Sequence, residues 1–365
     1  MKQKKVLVAM SGGVDSSVAA LLMKKKGYEV LGVFIKSWSN TKNPNECDWK
    51  KERKVAMKIA AKLEIPLITL DFEKEYRRDV IEKMFKDYKK GITPNPDIDC
   101  NQKVKFPLLI KAGKKFKVDY IVTGHYGRIK KKKNNYELLR AKDETKDQSY
   151  FLYRIKQNEL KQLIFPIGNY TKKQVREIAR KNEFLNFDKK STVGICFIGK
   201  VNLKEFLQKK IKAKKGKILS PEGKIIGEHD GIYYYTIGQR LGPRYGIEID
   251  KQGDKSQLKR WYVARKNPKK NEIILAPEGH KLLFRKEIYI KNPYWINENP
   301  KKKNTKVFSR IRHVGELLNS KLNYDNKKKK FKVILNKAIT GVSEGQAIVL
   351  YQGKKVLGGG EIRFK

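Results

Sequence analysis

The residues best placed to do chemistry follow a short apolar run. Val6-Leu7-Val8 leads into Ala9-Met10-Ser11-Gly12-Gly13-Val14-Asp15-Ser16-Ser17, and then into Val18-Ala19-Ala20-Leu21-Leu22-Met23. The pattern reads as a strand, a tight loop and a helix. Two glycines allow a sharp turn and bring bare backbone N–H groups close to an anion. Ser11, Ser16 and Ser17 add hydroxyls, and the helix N-terminus adds partial positive charge. A phosphate or pyrophosphate suits such a loop. No Gly-Lys-Ser/Thr follows, so it is not a Walker A loop, and the third glycine of a dinucleotide fingerprint is missing. The alternative is a Gly-rich turn without a ligand.

Two cysteines offer a second chemistry. Cys100 lies in Thr93-Pro94-Asn95-Pro96-Asp97-Ile98-Asp99-Cys100-Asn101, where two prolines are expected to stiffen the approach and keep it out of a helix. Asp99 then caps a helix and puts Cys100 in its first turn. There the helix dipole, Lys103 and Lys105 would lower the thiol pKa, and Asp97 could hold or shuttle a proton. An inert buried cysteine fits the same segment equally well. Cys196 lies in Ser191-Thr192-Val193-Gly194-Ile195-Cys196-Phe197-Ile198-Gly199, flanked by glycines that would let it swing. Together the two thiols suggest a pair in which one sulfur carries and the other resolves. Cys47 has no such setting, and no C-x-x-C spacing supports a zinc site.

These residues need a scaffold that sets them along one rim. Val30–Ile35, Pro66–Leu70 and Tyr120–Thr123 are further apolar runs, separated by helical patterns over Glu46–Leu63, Phe72–Lys90 and Cys100–Phe116. The alternation predicts an α/β fold, a parallel sheet wrapped on both faces, with ligands beyond the C-terminal strand ends. Tyr126–Ile129 and Tyr136–Leu139 read as a hairpin, and Thr171 as the N-cap of a helix through Val175 and Ala179. From about Gly216 short strands and glycine turns take over. Glu287–Ile290, Thr305–Ile311, Phe331–Leu335 and Ala347–Tyr351 suggest a small barrel or sandwich, with Lys327–Lys330 a solvated turn. His229 reads as a turn residue, His280 has no partner in sequence, and Tyr233-Tyr234-Tyr235 reads as sheet packing rather than a stacking platform.

The chain has 365 residues, enough for two or three domains. Its 85 Lys+Arg against 38 Asp+Glu give a net charge of +47, which favours a polyanionic partner such as nucleic acid. The lysines are spread along the whole length, and a biased base composition would produce them too. No signal peptide or membrane span is expected, and three cysteines point to a reducing cytoplasm rather than a disulfide framework.

The loop Ser11-Gly12-Gly13-Val14-Asp15-Ser16 resembles that of the PP-loop ATP pyrophosphatases, which cleave ATP between the α and β phosphates. Nearly the whole chain is similar to the tRNA-specific 2-thiouridylases, which place sulfur on C2 of the wobble uridine. The resemblance is carried by that loop, Asn95-Pro96-Asp97 with Cys100-Asn101, Thr123-Gly124-His125-Tyr126 and Lys146-Asp147-Gln148-Ser149-Tyr150-Phe151-Leu152. Gly194-Ile195-Cys196-Phe197-Ile198-Gly199 and Tyr235-Thr236-Ile237-Gly238-Gln239-Arg240 complete it. It implies a PP-loop ATP-binding catalytic domain over residues 1–200, a central mainly-β tRNA-binding domain over 201–278 and a β-barrel over 279–365. It implies ATP and Mg²⁺ as cofactors, with ATP held by Ala9, Met10, Ser11, Gly12, Gly13, Val14, Asp15, Ser16, Ile35 and Gly124, and Asp15 offered to the metal. Asn95, Pro96 and Asp97 would contact the target base, and His125, Lys146, Asp147, Gln148, Arg312, His313 and Gln346 other parts of the tRNA. Cys100 would be the nucleophile and Cys196 the persulfide carrier, with Asp97 assisting. A persulfide-donating relay protein or cysteine desulfurase would load the sulfur. Ile35 stands where methionine is common, Val193 replaces a polar residue, His313 stands for tyrosine, and Leu241-Gly242-Pro243-Arg244 is altered. Competing readings are another PP-loop ligase, a non-catalytic tRNA-binding protein, and a variant with an iron–sulfur cluster held by Cys100, Cys196 and a non-cysteine ligand.

Overall fold

Three consecutive residues, Val6, Leu7 and Val8, are fully buried, as a central strand covered on both faces requires. The computed structural model describes residues 3–39, 49–190, 202–242, 260–297, 299–300, 304–313, 315–326 and 329–364. In it the strand Lys5–Ala9 pairs in parallel with Glu29–Lys36 on one side and Tyr120–Thr123 on the other. Leu67–Asp71 and Leu163–Ile164 complete the five parallel strands at the two edges. Leu163–Ile164 carries no sequence signal, because two residues are too few for a period to register.

Side-chain alternation splits the core. Leu7 packs with Val33, Tyr76, Met84, Phe106 and Leu109 on one face. Val6 and Val8 pack with Val18, Ile59, Val175 and Ala179 on the other. The helices Val14–Lys25 and Trp49–Lys62 match the expected positions where the chain is described. Lys172–Lys181 begins as expected, with Thr171 accepting from the Gln174 N–H and Gln174 returning the bond. Two helical stretches contain wide i→i+5 turns, at Arg77–Ile81 and Cys100–Lys105.

The other two units are mainly β. Arg240–Leu241, Trp261–Asn267, Glu272–Pro277, Gly216–Leu219 and Ile225–His229 form a mixed central sheet. Tyr233 and Tyr234, expected to pack within a sheet, lie instead in a buried 3₁₀ turn over Ile232–Tyr234. The Tyr234 hydroxyl donates to Ile211 O at 2.6 Å, and that bond fixes the turn against the preceding segment. His229 ends its strand rather than lying in a turn, and its Nδ1 accepts from the Gly231 N–H of the turn that follows at 3.1 Å.

The C-terminal strands Arg285–Trp295, Lys330–Ile339, Leu318–Asp325, Thr305–Arg310, Ala347–Gln352 and Lys355–Arg363 pair antiparallel in that order, and the last returns to the first. This is a closed six-stranded barrel around Ile288, Val333, Ile348 and Ile362. The hairpin Arg128–Lys132 and Asn135–Leu139 joins its outside through Leu139 and Lys355. Of the expected turn at Lys327–Lys330, the first two residues lie outside the described ones. Among the described residues no helix is long and apolar enough to cross a membrane.

The three units meet at Thr93 and Pro94. The Thr93 N–H donates to Glu344 O at 3.1 Å, and Gln346 Nε2 donates to Thr93 O and Pro94 O at 3.2 and 2.8 Å. Thr93 Oγ1 donates to Thr236 Oγ1 of the central unit at 3.4 Å. Gly345, at φ +91°, lies so close that a Cβ there would sit 2.7 Å from Thr93 O. Gly345→Ala should therefore destabilise the protein by about 1–3 kcal/mol, the usual cost of a strained left-handed residue, plus the clash. Gly353 has φ +57° but open space around it, so Gly353→Ala should cost less in urea denaturation; equal losses would show that the contact with Thr93 contributes nothing.

Candidate active site

The loop behind the first strand is held from below and left open above. Met10 N–H donates to Val33 O at 2.8 Å, extending the sheet by one bond. Gly12 has φ +77°, and a Cβ there would run into the Glu52 carbonyl. Ser16 Oγ accepts from the Ser11 N–H at 3.1 Å and donates to Gly13 O at 2.9 Å, and Ser17 Oγ donates to the same carbonyl at 3.1 Å. Gly13 is the N-cap of Val14–Lys25, and no side chain caps it. The first-turn N–H groups thus keep their positive end for an anion. Ala9 ends the strand, Val14 is buried under the loop, and Ile35 is buried on the neighbouring strand.

Support comes from a distant segment. Asn186, buried, donates through Nδ2 to Gly12 O and Ser17 Oγ, both at 3.0 Å. Lys189 Nζ bonds Glu52 at 2.7 and 2.5 Å. Lys172 Nζ bonds both Asp15 carboxylate oxygens at 2.7 Å, and the Tyr126 hydroxyl donates to one of them at 2.8 Å. Burial and the Asp15 charge push the Tyr126 hydroxyl pKa up, so it stays a donor. Gly124 closes the rim: a Cβ on it would lie 2.7 Å from Ser16 N.

The Cys100 segment differs from expectation. The helix begins at Pro96, not after Asp99, because Asn95 Oδ1 accepts from the Ile98 N–H at 3.3 Å and proline is preset for the first helical position. Asp99 is no cap. It is buried and paired with Lys83 at 2.9 Å. Burial alone would lower the Lys83 pKa, but Asp99 and Asp87 outweigh it and raise it. Cys100 therefore falls past the first helical turn, fully buried at the start of the wide turn. Asp97 is half-buried in the first turn, beside Asn95 and Pro96. Asn101 Nδ2 donates to Phe151 O at 3.3 Å.

The expected RNA-contacting residues fall into two groups. Lys146 and Arg312 are exposed. Asp147 is the opposite: its side chain is inaccessible, paired with Arg310 at 2.9 Å and Arg140 at 3.3 Å, and bonded by the Ser149 hydroxyl at 3.0 Å. A buried carboxylate needs such partners, so Asp147 ties the hairpin to the barrel rather than facing solvent. Gln148 Oε1 accepts from the Tyr126 N–H at 2.9 Å. Gln346 holds Asn95 Nδ2 at 3.1 Å as well as Pro94. His125 packs between Phe106 and Phe165 with Thr123 Oγ1 at 2.7 Å from Nδ1; burial, then Lys105, holds its pKa well down. His313 packs tilted against Phe151, with ring centroids 4.4 Å apart, its pKa lowered by burial and Arg310. Cys47, Val193, Cys196 with its flanking glycines, Pro243 and Arg244 lie outside the described residues. The supports Lys172, Asn186 and Lys189 carried no sequence signal, since each acts on a loop more than 130 residues away.

Residues 4–200 match the family described as the tRNA methyl transferase HUP domain, 204–277 its PRC-barrel domain, and 285–362 an aminomethyltransferase beta-barrel domain. The chain is 40% identical over 364 residues to the tRNA-specific 2-thiouridylase MnmA of Vesicomyosocius okutanii subsp. Calyptogena okutanii, covering 100% of this chain and 99% of that one. It is 41% identical over 367 residues to the protein of the same name from Buchnera aphidicola subsp. Acyrthosiphon pisum, with 100% and 98% covered. With an open Gly-rich loop, a buried thiol on the helical run beneath the Gly124-His125 turn and similarity along its full length, the chain belongs to the tRNA-specific 2-thiouridylase family.

Proposed function

We propose that the chain uses ATP to activate the C2 oxygen of the wobble uridine of tRNA and replaces that oxygen with sulfur. The observation that carries this reading is the contact path from loop to thiol. Gly124 packs on the Asp15–Ser16 backbone, the adjacent His125 packs on Phe106, and Phe106 continues the helical run that begins at Pro96 and carries Cys100. A methyl transfer, which the family description names, would have no use for a loop open to phosphates.

A uracil C2 carbonyl is a poor electrophile. Adenylation makes its oxygen a good leaving group and releases pyrophosphate. The helix N-terminus and the exposed Ser11 hydroxyl hold the phosphates, while Ser16 and Ser17 keep their hydroxyl protons on Gly13 O. Asp15 offers a partly exposed carboxylate at the loop mouth, which suits a Mg²⁺ ion that keeps several waters and takes one or two carboxylates plus phosphate oxygens. Bound there, the ion would neutralise phosphate charge.

A sulfur-relay protein or cysteine desulfurase loads Cys196 as a persulfide. The Cys100 thiolate attacks the Cys196 sulfur, the S–S bond to the terminal sulfur breaks, and hydrosulfide leaves. Hydrosulfide attacks C2, AMP departs, and Asp97 takes the proton. The Cys100–Cys196 disulfide is reset by a two-electron thiol reductant. The base must leave its stack to reach a buried thiol, with the anticodon stem-loop clamped through its phosphates.

With unmodified tRNA transcript, ATP, Mg²⁺, cysteine and a cysteine desulfurase, wild-type protein should give thiolated product on a mercury-containing gel. Cys100→Ser and Cys196→Ser should give none, and Asp97→Asn roughly 10²–10⁴-fold less. Full activity in Cys196→Ser would overturn the two-thiol route. Binding of tRNA should fall about tenfold or more between about 50 and 200 mM salt, with turnover at saturating tRNA unchanged; a flat binding response would exclude the phosphate clamp.

A further inference from the structure

Cys100 is fully buried, and the residue before it, Asp99, is a buried carboxylate. A negative charge so close to a thiol opposes loss of its proton, the more so away from water. The charges around Asp99 alternate in sign. In the helix Glu82–Lys89, Lys83 Nζ lies 2.8 Å from Asp87 and 2.9 Å from Asp99. Arg154 stands 3.9 Å from the other Asp99 oxygen and 3.8 Å from Glu361 of the barrel, and Glu361 pairs with Arg363 at 3.1 Å. Three acids and three bases thus run in one line, from that helix through the neighbour of Cys100 to the barrel. Arg154 also donates to Gln102 at 3.2 Å, beyond the thiol on the same helical run. On the turns packed against the run, Asp79 is held by Arg78, and Glu73 by Arg77 and Lys36. Asp97, Lys103 and Lys105 lie on the run itself. Burial raises the pKa of the Tyr150 and Tyr153 hydroxyls, so neither adds a charge.

We propose that Lys83 is a positioning residue for the thiol chemistry: it pins and neutralises the Asp99 carboxylate, so that Cys100 can ionise inside the fold. This rests on the reading of Cys100 as the nucleophile. Lys83 acts through Asp99. Arg154 does not replace it, because Arg154 stands beyond hydrogen-bond reach of Asp99 and is shared with Glu361. Without Lys83 the line carries one uncompensated negative charge, next to the thiol.

A thiol titration tests this on the full-length chain. With Cys47→Ser and Cys196→Ser, Cys100 is the one thiol left. The ultraviolet absorbance of its thiolate is followed against pH, less that of the same chain with Cys100→Ser. Lys83→Met should raise the ionisation midpoint by about one pH unit or more. Lys83→Arg should stay near the parent, and Lys83→Met combined with Asp99→Asn should return to it, because the charge that needed neutralising is gone. Asp99→Asn alone should lower the midpoint, which keeps the test open if Lys83→Met does not fold. An unchanged midpoint in Lys83→Met or in Asp99→Asn would overturn the proposal. So would a raised midpoint in Lys83→Met that Asp99→Asn does not bring back, which is what a purely packing role for Lys83 gives. An error in the two-thiol reading shows separately, as thiolated tRNA made by Cys100→Ser.

Discussion

A helix N-terminus that must stay open to an anion cannot cap itself, and much of this structure follows from that constraint. Gly13 leaves the first turn of Val14–Lys25 uncapped. The loop's order has to come from behind, from Ser16 and Ser17 bonding Gly13 O and from Asn186 bonding Gly12 O. Those bonds hold the carbonyls while the N–H groups stay available. The close approaches of Gly12 to Glu52 and Gly124 to Ser16 N leave no room for a side chain at either position.

Buried charge does the equivalent work for the thiol and for the docking of the units. Asp99, the neighbour of Cys100 on the same helical run, pairs with Lys83 and anchors that run within the N-terminal unit. Asp147 joins Arg140 of the hairpin segment to Arg310 of the barrel. Removing one partner from such a group leaves an uncompensated charge, so the Asp147 group specifies how the barrel docks on the N-terminal unit. Gln346 adds a neutral clasp, tying the barrel to the backbone at Thr93 and Pro94 just ahead of Asn95. The segment that bears Cys100 is therefore positioned by the far end of the chain.

Local structure is legible where a few adjacent residues decide the outcome. The strand Tyr120–Thr123 and the Thr171 cap appear where the pattern puts them. The start of the Cys100 helix does not, because two acceptable caps, Asn95 and Asp99, lie four residues apart and Lys83 claims the second. Lys146 and Asp147 are neighbours in one motif, yet one is exposed and the other inaccessible. Adjacency in sequence gives no information about which way each side chain faces once a barrel arginine competes for the carboxylate.

By itself the sequence determined the Gly-rich loop, the alternation of strands and helices and the short strands of the C-terminal unit, since these depend on sterics and periodicity within about ten residues. Tertiary structure decided which side chains complete the site. Lys172 meets Asp15 across 157 positions, and Arg310 meets Asp147 across 163. Such pairs are set by sheet order and domain docking. Their energies depend on burial, which no local spacing encodes.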